Sequence, residues 1–285
     1  MKVYRGMDVG TDKQHAARFA LTDLVEPSER FSVGAYVRAA QAAVAATRSR
    51  GKVPLFVGGT GLYLRALTRG LFDVPDVEPA VRARVQAELD ERGTPALHAE
   101  LAGVDAETAA RLHPNDRKRI ARALEVFRST GKTLARWQAE ATRRPIAGRP
   151  VLVGIRWSRS ALRARIVARV ERMFASGLVD EVRSLMESRR IGPVAGLAIG
   201  YREVAAMLRD GTSLEECRRA VVHDTTAFVR RQDNWMRQFP EIRWIDADAD
   251  PPSVPDRVVA TFRDERIVAG PCDEITGGRG RPSRS

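Results

Sequence analysis

VPLFVGGTGLYLRAL, Val53 to Leu67, passes from a continuously apolar run into a glycine turn and then into helical spacing. Val53, Pro54, Leu55, Phe56 and Val57 form the kind of run that a parallel sheet buries on both faces, so a buried strand is expected there. Gly58, Gly59, Thr60 and Gly61 carry little side-chain bulk, which lets the backbone turn sharply at the strand's carboxyl end and approach a ligand closely. Leu62, Tyr63, Leu64 and Leu67 then recur at helical spacing. A strand, a glycine turn and a helix put Thr60 in the crevice beyond the strand ends, where open α/β sheets hold ligands. A glycine pair alone fits a ligand-free turn better; the surrounding chain is what turns the reading toward a site.

Upstream, MKVYRGMDVGTDK opens the chain abruptly, with Gly6, Asp8, Gly10 and Thr11 reading as loop. FSVGAYVRAAQAAVAATR, Phe31 to Arg48, reads as a helix with Ser32 as N-cap and Val33, Tyr36, Val37, Ala40 and Val44 on one face. Downstream, from Val77 to Arg149, the texture is helical only. Pro79 opens a helix that Gly93 closes, two shorter helices follow, and Asn115 precedes DRKRIARALEVFRSTGK, where Ile120, Ala123, Leu124 and Phe127 make the apolar stripe and Gly131 the stop. This stretch reads as a helical insertion.

VLVGIRW, Val151 to Trp157, returns to the buried-strand pattern. In the helix after it, Leu162, Ile166, Val170 and Met173 face a core, while Arg165, Arg169 and Arg172 share another face. A helical hairpin runs through GLVDEVRSLMESRR to GPVAGLAIGYREV, a further helix through VVHDTTAFVRRQDNWMRQF, and a last short strand covers Ile242 to Asp246. From about Glu265 the Gly-, Pro-, Ser- and Arg-rich composition predicts a disordered tail.

The formal net charge is +12, from 48 Lys+Arg against 36 Asp+Glu, with the excess almost all arginine. That favours an anionic partner such as a nucleic acid or a diphosphate, although an arginine-rich solvated surface has the same composition. Cys217 and Cys272 lie far apart without metal-ligand spacing, so neither a disulfide framework nor a zinc site is expected, and a reducing cytoplasm fits. No apolar run approaches the length of a membrane span, and MKVYRG lacks the hydrophobic stretch of a signal peptide.

Three basic clusters stand out: Arg117, Lys118, Arg119 and Arg122; Arg165, Arg169 and Arg172; and Arg230, Arg231 and Arg237 beside Gln232 and Trp235. Each alone reads as a solvated helix face. Together, with an aromatic and an amide at the third, they suit RNA, where phosphates need charge and unstacked bases need a platform. His15, His98, His113 and His223 show no metal spacing, and His113 reads as a cap or packing residue at a helix junction. The chain holds no G-x-S-x-G elbow and no G-x-x-x-x-G-K-[ST] loop. The residues alone therefore lead to an α/β ligand-binding domain with RNA-like basic surfaces.

VYRGMDVGT, VGGTGLYLRAL, HPNDRKRIARALEVFRSTGKTL, GYREV and RRQDNWMR, in this order and at these spacings from Val3 to about Asp246, resemble the tRNA dimethylallyltransferases. The resemblance implies a P-loop-kinase-like parallel sheet formed by 1–76 and 150–264, with 77–149 as a helical insertion that embraces the anticodon stem-loop. It implies transfer of the dimethylallyl group of dimethylallyl diphosphate to N6 of the adenosine 3′-adjacent to the anticodon, position 37, with magnesium, in a cytoplasmic monomer. By the same resemblance Thr60 lies at the catalytic centre and Arg169 steadies the departing diphosphate. Lys2, Val3, Tyr4, Gly58, Gly59, Arg82, Lys118, Arg119, Ile120, Ala121, Arg122, the run Leu197 to Arg202 with Gly200, Tyr201 and Arg202, Arg231, Gln232 and Trp235 match substrate- or tRNA-contacting positions.

Two departures from the family pattern carry expectations. The family begins with a strand, a G-x-T-x-x-G-K-[ST] phosphate loop and a second strand ending in D-S-x-Q directly before VYRG; here Met1 and Lys2 stand where that last motif ends. The phosphate loop and the aspartate that takes the N6 proton are thus expected to be lacking, Lys2 replaces the glutamine that reads the adenine edge, and these 285 residues alone are expected to be inactive. Arg18, Phe19 and Ala20 occupy a place where the family has a proline-histidine pair. A catalytically inactive tRNA-binding remnant and a small-molecule P-loop kinase are the rival readings.

Overall fold

The computed structural model describes residues 1–13, 19–70, 76–140, 145–146 and 150–265. Apart from Glu265, the expected disordered tail lies outside the described residues, as do His15, Arg18 and Cys272. The chain divides into two compact units, one made of Met1–Phe31, Ala39–Gly61 and Arg149–Ser285, the other of Ser32–Arg38 and Leu62–Gly148. The helical unit therefore starts at Leu62, earlier than the expected Val77, and takes in the start of α1 (Val33–Arg48). A ring stack joins the start of α1 to α2 (Gly61–Arg69): Tyr36 and Tyr63 lie 3.8 Å apart at their centroids with planes 7° apart.

Helix boundaries in this unit follow local chemistry. The Ser32 hydroxyl accepts the Ala35 N–H at 3.1 Å, as expected of an N-cap. Helix α3 (Pro79–Arg92) opens on proline and ends at Gly93. Helix α4 (Thr94–Val104) follows, and the Asp105 carboxylate caps α5 (Ala106–Ala110) at the Thr108 N–H. Helix α6 (Arg117–Thr130) is capped by Asp116 and closed by Gly131 at φ 67°, a left-handed conformation suited to glycine. Helix α7 (Leu134–Glu140) completes the unit. Val85, Leu89, Leu97, Leu101, Ile120 and Leu124 are at most 1% exposed, so the unit has a core of its own, each leucine contributing about 1.5–3 kcal/mol.

An ion network ties three of these helices. Arg128 of α6 pairs with Glu88 of α3 at 2.7 Å and with Glu100 of α4 at 2.5 Å, and Arg92 reaches Glu100 at 2.9 Å. The hydrogen bond from Arg128, foremost among the causes, holds both carboxyls below the ordinary value near 4.5. Carboxyls depressed in the folded state lend stability that is present above pH 4.5 and lost as pH falls through their folded values. Thermal melting followed from pH 7 to pH 3 should therefore show a loss that Arg128→Ala reduces, because that variant lacks the shared cation at every pH.

In the other unit, β1 (Val153–Arg156) and β2 (Arg243–Asp246) pair in parallel, Val153 opposite Arg243 and Arg156 opposite Asp246. A Cβ on Gly154 would meet the Trp244 ring at 2.6 Å, so the ring lies across the glycine, with Arg156 stacked over it at 4.8 Å. This is a small sheet with half-exposed strands: Ile155 is 50% exposed, and the expectation of a strand buried on both faces is not met.

The second correction concerns Val53–Val57. Helix α1 ends in a Schellman turn, Gly51 at φ 64° and Lys52 N–H bonded to Thr47 O, and the chain then runs without a strand partner among the described residues. Leu55 is 69% and Val57 75% exposed. Pro54 and the β-branched residues favour an extended backbone, but extension becomes a buried strand only where neighbours supply both ladder and cover.

Helices α8 (Arg159–Ala175), α9 (Leu178–Glu187), α10 (Tyr201–Asp210) and α11 (Leu214–Met236) build the main core of this unit. Ile166, Val170 and Met173 of α8 face inward as expected, with Leu178, Val182, Val204 and Val221. The loop at the start of the chain joins them through Val3, Tyr4 and Met7, all buried. Helix α12 (Val254–Asp264) covers β2 with Val254.

Candidate functional site

The glycine loop is fastened to the far end of α11. Gln232 donates from Nε2 to the Gly59 carbonyl at 3.0 Å, and a Cβ on Gly61 would fall 2.4 Å from Trp235 Cγ. Residues that the sequence holds 173 positions apart are thus one construction, with Thr60 exposed between the two attachment points. Gly58 has open space around it, with nothing within 4 Å of a built Cβ. Arg231 lies on α11 over the Phe228 ring at 5.6 Å and is exposed.

A second group forms around the first loop of the chain. Arg169 on α8 stands with Nε 3.8 Å from Asp12 Oδ2, its side chain 44% exposed. Lys2 Nζ donates to the Asp12 carbonyl at 2.8 Å. Lys13, whose side chain is 2% exposed, reaches the Tyr4 carbonyl at 2.7 Å, Asp8 at 2.6 Å and Asp23 at 2.5 Å. The Glu181 carboxylate of α9 takes the backbone N–H groups of Asp8, Val9 and Gly10. Arg202 on α10 is engaged by Glu203 at 2.5 Å and also by Asp224, to which His223 Nδ1 is bonded at 2.9 Å.

In the helical unit, Arg82 and Arg122 both lie 3.8 Å from Glu125, whose side chain is only 7% exposed, so one nearly buried carboxylate gathers two of the expected RNA-contacting cations. Arg119 pairs with Asp116 at 3.5 Å, while Lys118 points outward and exposed. Arg117 belongs elsewhere: it donates to Asp90 at 2.6 Å and to the Leu89 carbonyl at 3.1 Å, tying α6 to α3, and so leaves the basic cluster in which the sequence puts it. His113 accepts the Asn115 N–H at 3.1 Å and caps the approach to α6.

Several residues that match substrate- or tRNA-contacting segments have their side chains inside the protein. Ile120 and Tyr201 are 0% exposed, Tyr4 1%, Ala121 3% and Val3 8%, and Gly200 is buried as the N-cap of α10. Their side chains are packed inside the protein, so the surface these segments offer is that of their backbone and of the exposed residues beside them. Conversely, Glu125 and Glu181 were not singled out in the sequence. A carboxylate within an apolar stripe, as in Ala123-Leu124-Glu125-Val126, is the signal that could have found the first.

Residues 2–239 match the profile of the family described as IPP transferase. The chain belongs to that family. The IPP transferase match takes in every residue placed above in the glycine loop, around Asp12 and on α6 and α11. The chain is similar to a tRNA dimethylallyltransferase of Syntrophobacter fumaroxidans, 42% identical over 255 residues that span 87% of this chain and 74% of that one. It is likewise similar to one of Geobacter sulfurreducens, 42% identical over 258 residues, 87% of this chain and 82% of that one. Among solved structures, the tRNA delta(2)-isopentenylpyrophosphate transferase of Staphylococcus epidermidis superposes with a TM-score of 0.62 at 28% identity, covering 93% and 88% of the two chains. A eukaryotic dimethylallyltransferase acting on tRNA shares the fold, with a TM-score of 0.77 at 23% identity over 94% and 71%. Among the described residues no helix is long and apolar enough to cross a membrane.

Proposed function

We propose that this chain carries the tRNA-binding and leaving-group side of a tRNA dimethylallyltransferase, which moves the dimethylallyl group of dimethylallyl diphosphate to N6 of the adenosine at position 37. The observation that carries the reading is the unbroken family match from residue 2 to residue 239, through both the glycine loop and the basic helix α6. In the transfer, a bond forms between N6 and the allylic carbon as the carbon–oxygen bond breaks, its electron pair leaving with the diphosphate. Arg169 supplies fixed positive charge where that leaving group gains negative charge, and Thr60 stands at the exposed turn beside the reacting groups. Position 37 must leave the anticodon stack to be reached.

These 285 residues hold no G-x-x-x-x-G-K-[ST] loop and no D-S-x-Q run, so on this reading the diphosphate cradle and the base for the N6 proton are not among them. Magnesium is implied by the resemblance; among the described residues no three His, Cys, Asp or Glu side chains are grouped so as to hold a metal ion.

The test is incubation with unmodified tRNA and dimethylallyl diphosphate, read as N6-dimethylallyladenosine by mass spectrometry. A chain that also carries the phosphate loop and D-S-x-Q ahead of Met1 is expected to modify position 37, and these 285 residues to bind tRNA without modifying it. No modification by the longer chain overturns the reading in favour of a tRNA-binding protein, and phosphorylation of a small molecule without tRNA would favour a kinase.

A further inference from the structure

Glu181 lies on α9, yet the backbone N–H groups its carboxylate accepts belong to a loop more than 170 residues earlier. Its Oε2 accepts the N–H groups of Asp8 and Val9, each at 2.8 Å, and its Oε1 accepts the Gly10 N–H at 3.2 Å and the Tyr201 hydroxyl at 2.5 Å. Three successive N–H groups converging on one anion form a backbone nest, the device that elsewhere holds phosphates and other anions, here filled by the protein's own carboxylate. Charge-assisted bonds of this kind are about twice as strong as neutral ones.

The loop is built to sit there. A Cβ on Gly10 would fall 2.4 Å from Tyr201 Cε2 and 2.9 Å from Leu178 Cδ1, so the backbone lies directly on the buried tyrosine ring. Just after the nest the chain turns back on itself: Asp12 N–H bonds Val9 O at 3.0 Å, Lys13 N–H bonds Asp8 O at 2.9 Å, and Thr11 Oγ1 bonds Met7 O at 2.6 Å. Asp12 itself has φ 53°, an uncommon conformation for a residue with a side chain. That turn directs the Asp12 carboxylate toward Arg169 Nε.

We propose that Glu181, assisted by Tyr201, is a positioning residue for Arg169: it fixes the Asp8–Gly10 nest, the nest fixes Asp12, and Asp12 holds the guanidinium in place. The Arg169–Asp12 pair is too exposed to order a long side chain by itself. Its order comes from the rigid backbone behind Asp12. Tyr201 stays a donor throughout, since burial first and the Glu181 bond second raise its phenol well above the ordinary value near 10. Arg169's part in the reaction rests on the function proposed above; the linkage between Glu181 and Arg169 does not.

The linkage is tested on the 285-residue chain without turnover. Glu181→Gln keeps the shape but turns one accepting oxygen into an NH2 that opposes the nest. Amide exchange of residues 8–10 should accelerate roughly tenfold, while the core amides of Val182, Leu185 and Val204 keep their protection. The Arg169 Nε–Hε resonance, assigned by its disappearance in Arg169→Lys, should move to the position it takes in Asp12→Asn. Tyr201→Phe, which removes one hydroxyl, should shift both readouts in the same direction by less, and it decides the matter if Glu181→Gln does not fold. An Arg169 resonance unmoved by either variant but moved by Asp12→Asn overturns the proposal. In a chain competent for transfer, Glu181→Gln should lower kcat roughly tenfold or more with KM for tRNA nearly unchanged. Absence of all transfer would count against the proposed function, while the exchange and resonance results still decide the linkage.

Discussion

Gly61→Ala, made in a chain competent for prenyl transfer, is expected to lower the rate roughly 10²-fold, whereas Gly58→Ala should leave it within about threefold of the parent. Neither glycine has a positive φ, so the contrast is steric. At Gly61 the new carbon would fall 2.4 Å from Trp235 Cγ, 2.5 Å from Cδ2 and 2.6 Å from Cβ. A Cβ is fixed to its helix and cannot rotate away, so either α11 or the glycine loop must move, and Thr60 moves with the loop. At Gly58 nothing lies within 4 Å. Gly59→Ala should fall between, because the obstacle is Gln232 Nε2 at 2.1 Å, the far end of a flexible side chain that can swing aside only by giving up its bond to the Gly59 carbonyl. Steady-state kinetics on the three variants, with melting curves to separate the overpacking cost of about 1–3 kcal/mol, check the order. Equal losses at Gly58 and Gly61 would mean that anchorage of the loop on α11 is not what places Thr60.

The helical unit was legible in the sequence because its signals are local. Pro79 and Gly93 mark α3 and Gly131 marks the end of α6, each acting on backbone groups within a turn of itself, while the start of α6, expected just after Asn115, is capped one residue later by Asp116. The first basic cluster was only half legible. Arg117 looks like its neighbours in sequence, but one residue along a helix is a 100° turn, which aims it at Asp90 and Leu89 O of α3.

The run Val53–Val57 failed for the opposite reason. Its residues specify an extended backbone, but burial depends on a partner strand, and pairing is a property of two segments at once. Val151–Trp157 and Ile242–Asp246 shortened to four-residue strands by the same logic, each paired with the other over those four residues.

The candidate site was legible in its parts and not in its assembly. Resemblance supplied Thr60, Arg169, Gln232 and Trp235, but only the fold joins Gln232 and Trp235 to Gly59 and Gly61. Tyr201 shows what a motif leaves out: its side chain is 0% exposed and donates to Glu181, a partnership the GYREV match does not disclose. Glu181 itself left little trace, since an acidic residue in the first turn of a helix is ordinarily read as a complement to the helix dipole.

Replacing Lys118, Arg119 and Arg122 together by alanine should weaken tRNA binding roughly 10²-fold at 0.15 M salt and make the plot of log affinity against log salt shallower by about 2–3. The estimate follows from counterion release, in which each phosphate contact contributes slightly less than one to that slope. Lys118 is exposed, and Arg119 and Arg122 have side chains 72% and 42% exposed with ion-pair distances of 3.5 and 3.8 Å, loose enough to turn toward a phosphate. Arg117→Ala is the instructive contrast. It also removes one positive charge from the start of α6, but it breaks the tie to Asp90 and the Leu89 carbonyl, so it should lower the melting temperature and change the salt slope little. Glu125→Gln probes the same face from below. It takes the shared negative charge from beneath Arg82 and Arg122 and leaves their surface otherwise intact. If Glu125 serves mainly to hold the two guanidiniums in place, affinity should fall; if it mainly neutralises them, affinity should rise, so titrations of the three variants at several salt concentrations separate charge from arrangement. A triple variant that binds tRNA with the parent's affinity and slope would remove α6 from the RNA-binding surface altogether.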